Sequence, residues 1–187
     1  MDIPSCSGKT FLELLIVLAL VSVLWGVASA PMGRLMSAQQ VQTHQHLLHA
    51  HLNLARHGAV TSGYAVVVCP RTGNACAAGS GDWSEGWLVF EDFANENQCD
   101  VDPERGVCTA HGGRVLAVAE PVRQVQVVSN RNVARRVRFN TMGMSYGYTG
   151  RFSICDRRAL ASPRGLVVAQ SGRVRRASAS ELLPCTR

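Results

Sequence analysis

Arginine supplies nearly all of the positive charge in this sequence, and it is concentrated where it could grip an anion. The chain of 187 residues carries 19 basic side chains against 13 acidic ones, a formal net charge of +6, and Lys9 is its single lysine. From Arg105 to Arg187 fifteen arginines stand against Glu120, Asp156 and Glu181, a balance of +12. From Asp82 to Glu104 there are eight acids and no basic residue, a balance of −8. The arginines fall into three clusters: Arg173, Arg175 and Arg176; Arg135, Arg136 and Arg138; and Arg157, Arg158 and Arg164. A guanidinium is a planar fork that matches phosphate oxygens two at a time, so such clusters permit nucleic-acid contact. In an extended segment Arg173 and Arg175 would project to one side, and in a loop all three could track phosphates. Each cluster alone also fits an ordinary solvated surface.

Other reactive residue types point away from catalysis. Five of the six histidines, His44, His46, His49, His51 and His57, lie within one short stretch and raise the question of a metal. Projected onto a helix, His44 and His51 border the apolar stripe while His46, His49 and His57 face away, so they do not converge as ligands must. Serine, histidine and aspartate occur without a nucleophile motif or a phosphate-binding loop, which argues against an enzyme and against a bound cofactor. Seven cysteines include Cys6 near the start and six in the body of the chain, with no C-x-x-C pair. An even set in an exported domain favours disulfides, and six cysteines allow fifteen pairings. Short separations suggest Cys69–Cys76 and Cys99–Cys108, which leaves Cys155–Cys185.

The element that must hold these groups out is written at the N-terminus. Gly8 to Pro31 holds about twenty apolar residues, enough for one membrane-crossing helix. Glu13 lies inside that run, where a carboxylate costs roughly 2.5–3.5 kcal/mol on insertion scales. An opposite charge brought to it would make it tolerable. An ordinary signal anchor or a cleaved secretory signal are the plainer alternatives, and Ala28-Ser29-Ala30 offers the latter a cleavage site.

Beyond Pro31, which should bend the helix, Val41, Leu48, Leu52, Ala55 and Ala59 recur at helical spacing and predict one buried stripe. From Tyr64 the period changes. Strands are expected over 64–69, 87–91, 115–119, 122–128, 135–139, 151–155 and 165–169, separated by glycine- and asparagine-rich turns. One helix followed by many short strands indicates an α+β fold with antiparallel sheets. The polar, acidic 95–113 segment reads as a surface loop. Trp83 and Trp87 read chiefly as packing residues, with nucleobase stacking the minor alternative.

Gly8, Lys9 and Glu13 together resemble the signal of type IV pilins and type II secretion pseudopilins. The resemblance implies that a prepilin peptidase cuts after Gly8 and methylates the new N-terminus. Glu13, fifth in the mature chain, would then neutralise the amine of a neighbouring subunit. Lys9 stands where that family usually has Phe or Met, and the leader lacks a basic residue. The head is narrower in its likeness. Asn53-Leu-Ala-Arg56 with Tyr64-Ala-Val-Val-Val-Cys-Pro70, the Gly81-Asp-Trp-Ser-Glu-Gly-Trp-Leu-Val-Phe90 segment, Phe152-Ser-Ile-Cys-Asp156 and Leu166-Val-Val-Ala-Gln-Ser-Gly-Arg173 resemble the GspH/FimT family of minor pilins and pseudopilins.

That resemblance implies a type IV pilin fold. Residues 1–8 would be the leader, 9–31 the membrane and assembly helix, 32–62 its amphipathic half, and 63–187 a β-rich head. It implies a single-pass inner-membrane protein of a Gram-negative bacterium, its head in the periplasm until it is assembled with other pilins or pseudopilins. Gly172-Arg173-Val174-Arg175 is similar to the G-R-x-R motif of FimT proteins that bind DNA in natural transformation. The expected function is therefore a minor pilin that binds extracellular double-stranded DNA without sequence preference. The alternative is a purely structural minor pilin, or a secretion pseudopilin, that initiates or caps a filament.

Overall fold

A computed structural model describes residues 11–77, 79, 82–110 and 112–185, and the side chains of all of these except 24 and 26–31. Gly8 and Lys9 lie outside the described residues. Helix α1 runs unbroken from Phe11 to Ser62, through position 31. It ends where Gly63 takes φ +74°, a left-handed conformation that stops a helix at little cost to glycine. Every described side chain from Phe11 to Val23, and Trp25, is exposed. Among the described residues no helix is long and apolar enough to cross a membrane. The remainder of the apolar run, at 24 and 26–31, falls outside the described side chains.

The strands are β1 (Ala65–Thr72), β2 (Ala75–Cys76), β3 (Trp87–Asp92), β4 (Val101–Asp102), β5 (Val107–Cys108), β6 (Val115–Ala119), β7 (Val125–Ser129), β8 (Val137–Phe139), β9 (Gly150–Asp156), β10 (Arg164–Val168) and β11 (Val174–Arg176). One antiparallel sheet has the order β2-β1-β3-β6, with β8 also paired to β1. The second has the order β11-β10-β9-β7. Val41, Leu48, Leu52, Ala55 and Ala59 form the buried stripe of α1 and meet both sheets in one core, against Val66, Val68, Val89, Phe152, Ile154, Leu166 and Val168. Burial of a leucine such as Leu52 is worth about 1.5–3 kcal/mol, so this stripe fixes which helix face the sheets cover. Trp83 and Trp87 lie in that core, their rings 6.5 Å apart.

The 95–113 segment differs from a plain surface loop. It folds into the β4–β5 ribbon over the outer face of the first sheet, where Cys69, Cys76, Cys99, Cys108, Val67, Leu88 and Phe90 make a second core. This cover is why β1 and β3 are buried on both faces. Disulfides join Cys69 to Cys76, Cys99 to Cys108, and Cys155 to Cys185. Two of the acids near this segment are internal. Glu91 takes Arg114 Nη2 at 2.8 Å, and Asp92 accepts the backbone N–H groups of Glu96 and Asn97.

The helix also carries a titrating contact with the sheet. The buried indole of Trp87 donates from Nε1 to His51 Nδ1 at 3.0 Å, so that nitrogen must be unprotonated. Burial lowers the pKa of both His51 and His44 below the ordinary 6.5. The unfolded chain then binds more protons than the folded one in the window just below 6.5. The stability is present above that value and is lost as pH falls through the lowered folded values. We expect the melting temperature to drop by a few degrees between about pH 7.5 and about pH 5. His51→Gln, which still accepts a hydrogen bond but does not titrate, should make the profile shallower and leave the share due to His44.

Candidate nucleic-acid interface

The arginine motif is built on the hairpin between β10 and β11. Ala169 N–H bonds to Arg173 O at 3.0 Å and Gly172 N–H to Ala169 O at 2.9 Å, closing a tight turn. Gly172 sits at φ +74°, and a Cβ there would lie 1.8 Å from the carbonyl oxygen of Gly143. That carbonyl accepts Arg56 Nε from α1 at 3.1 Å. The turn is thus clamped between the Asn140–Met144 loop and the helix, and glycine is required by both conformation and space.

Along β11 only the first side chain is buried. Val174 is buried, while Arg173, Arg175 and Arg176 are exposed at the open edge of the second sheet. The three arginines are not equivalent. Arg175 grips Glu181 with both terminal nitrogens, at 2.8 and 2.5 Å. The hydrogen bonds from Arg175 and from the backbone and hydroxyl of Ser178 hold the Glu181 carboxyl far below the usual carboxylate range. Arg175 is thereby paired with Glu181 at the surface. Arg176 lies within 3.3 Å of His46 Nε2, and Arg173 has no side-chain partner among the described residues.

In each of the other two clusters some arginines are engaged, while Arg135, Arg157 and Arg164 are exposed. Arg138 bonds to Asn95 Oδ1 and stands 3.6 Å from Asp92, and Arg136 donates to Asn97 O at 3.0 Å. Those two hold the 92–97 turn to the first sheet, while Arg135 next to them is exposed. Arg158 donates to Ser37 Oγ at 2.8 Å and ties the β9–β10 hairpin to the helix. Arg138 lies on β8 of the first sheet, with Arg135 and Arg136 just before it, whereas Arg173 precedes β11 of the second sheet.

Sequence reasoning missed the helix side of the β11 edge. His49 Nε2 is 3.4 Å from Val174 O, so His46 and His49 run beside the arginine strand. The 3.6-residue period places them away from the apolar stripe, but only the fold shows which strand lies there. Among the described residues no group of three or more His, Cys, Asp or Glu could hold a metal ion.

A single helix, free at its beginning and packed at its end on two antiparallel sheets, defines the type IV pilin fold. Two crystal structures of the type IV minor pilin FimU of Pseudomonas aeruginosa share it. One matches at 20% identity with a TM-score of 0.51, covering 74% of this chain and 94% of that one. The other matches at 19% identity with a TM-score of 0.52, covering 76% and 91%. No curated protein sequence matches the chain. The family model described as type II transport protein GspH matches residues 45–172, and the chain belongs to that family. It is a minor pilin-like or pseudopilin-like subunit, whose partners are other pilins or pseudopilins.

Proposed function

We propose that the chain is a minor pilin of a type IV pilus that binds extracellular double-stranded DNA through arginines, for uptake in natural transformation. The observation that carries this reading is the Gly172 turn, which holds Arg173 outward with no partner among the described residues, two positions from an occupied Arg175. Arg173 and Arg176 contact backbone phosphates and release counterions, so binding is independent of sequence and falls steeply with salt. The apolar run to Pro31 serves as the inner-membrane anchor before assembly. A prepilin peptidase cuts after Gly8, and Glu13 pairs with the new amine of a neighbouring subunit. Residues 63–187 form the exposed head. No catalysis is involved.

The full chain in detergent, titrated onto a fluorescent duplex, tests the reading. Arg173→Ala with Arg176→Ala should weaken binding by about tenfold on every sequence and lower the log–log salt slope by nearly two. A wild-type chain that shows no salt-sensitive binding overturns it.

The match to a type II transport family favours a second reading, a secretion pseudopilin that builds a filament tip and touches no DNA. A deletion strain separates the two. Loss of transformation with secretion intact supports the first, and the reverse supports the second.

A further inference from the structure

We propose that the phosphate-binding surface has a second wall, the polar face of α1 that carries Arg56 and His57, lying beside the Gly172 turn. This rests on the DNA-binding reading above and says which residues complete its site. Three contacts place that helix face along the arginine edge. His46 meets Arg176, His49 meets the carbonyl of Val174, and Arg56 reaches the Gly143 carbonyl that abuts Gly172. Residues 46, 49, 53, 56 and 57 follow the three- and four-residue steps that keep side chains on one helical stripe. The stripe from His46 to His57 is about 16 Å long at 1.5 Å per residue, the axial span of roughly five phosphates of one duplex strand.

Its free end is concave. A recess of about 400 Å³ is lined by Asn53, Arg56, His57 and Val60. Arg56 uses only Nε, for the Gly143 carbonyl, and its two terminal nitrogens have no partner among the described residues. A Cβ at Gly172 would stand 3.2 Å from that Nε, so the guanidinium sits one residue away from Arg173. Among the described residues no acid lines the recess. Arg56 thus offers two terminal nitrogens beside a turn that presents an arginine, an arrangement that fits a phosphodiester oxygen. Glu181, the acid that follows β11, is held by Arg175 and Ser178.

The test uses the full chain in detergent and the same fluorescent duplex, with melting curves to verify folding. His57 is exposed, so His57→Glu should leave the fold intact while weakening binding by about tenfold and lowering the salt slope. His57→Arg should do the opposite, strengthening binding severalfold. Arg56→Gln keeps a donor for the Gly143 carbonyl and removes the charge, and should weaken binding as much as Arg173→Ala. Arg175→Ala combined with Glu181→Ala, which removes a neutral pair, should leave binding unchanged. If Arg173→Ala weakens binding while His57→Glu, His57→Arg and Arg56→Gln all bind like the wild type, the helix wall is wrong and the arginine turn stands. If the wild-type chain does not bind DNA at all, both fall together.

Discussion

In a thermal melt, Gly172→Ala is expected to destabilise the head by more than about 3 kcal/mol, a fall of roughly 6–12 °C for a domain of this size. Two costs combine. An alanine at φ +74° pays for the left-handed conformation, and its Cβ would have to occupy space 1.8 Å from the Gly143 carbonyl oxygen. The conformational cost alone is about 1 kcal/mol and can be measured separately at Gly147. That residue has φ +78° with nothing within 4 Å of an added Cβ. Gly147→Ala should therefore lower the melting temperature by only about 2–4 °C. The remainder of the Gly172 effect is backbone against backbone, which no side-chain rotation relieves. The turn must then part from the 140–144 loop, which carries Arg173 away from Arg56, so DNA binding should weaken even where the protein stays folded. Equal losses at Gly172 and Gly147 would show that the two turns do not differ in their contacts as described.

The helix and most of the sheet are legible in the sequence because those signals are local. The stripe of Val41, Leu48, Leu52, Ala55 and Ala59 is buried as its spacing requires, and β6 spans the expected 115–119. Local signals fail where a distant segment supplies the partner. An arginine-rich tail carries too little apolar pattern to be read as a strand, yet β11 pairs with β10 from Leu166↔Arg176 to Val168↔Val174. Arg175 differs from Arg173 through Glu181, six residues on, which the Ser178 capping box turns back towards it. In the sequence Glu91 and Asp92 belong to a run of acids with no basic residue, and Arg114, Arg138 and the backbone of 96–97 hold them inside. The polar face of α1 is visible as polar, while its neighbour β11 lies more than a hundred residues away in the chain.

That tail is also where the second large effect is expected. Cys155→Ser with Cys185→Ser opens a bridge with a sequence separation of 30, the longest of the three, against 7 and 9 for the others. Loop-closure entropy assigns such a bridge about 3–4 kcal/mol, and the melting temperature should fall by roughly 6–16 °C. The other ties of the tail are weaker, among them Leu183 N–H to Ser153 Oγ at 2.7 Å, Arg151 Nη1 to Glu181 O at 3.4 Å, and the exposed Arg175–Glu181 pair. A solvent-exposed ion pair is screened and gives up side-chain entropy, so this one does not hold the tail without the disulfide. Once the tail is released, Glu181 leaves Arg175, and a third arginine becomes free on the β11 edge. In a duplex titration at a temperature where the variant is folded, the log–log salt slope should therefore steepen by about one. Glu181→Ala should produce the same steepening with little change in melting. A double-cysteine variant that melts early yet keeps the wild-type slope would mean that the Ser178 capping box alone keeps Glu181 on Arg175.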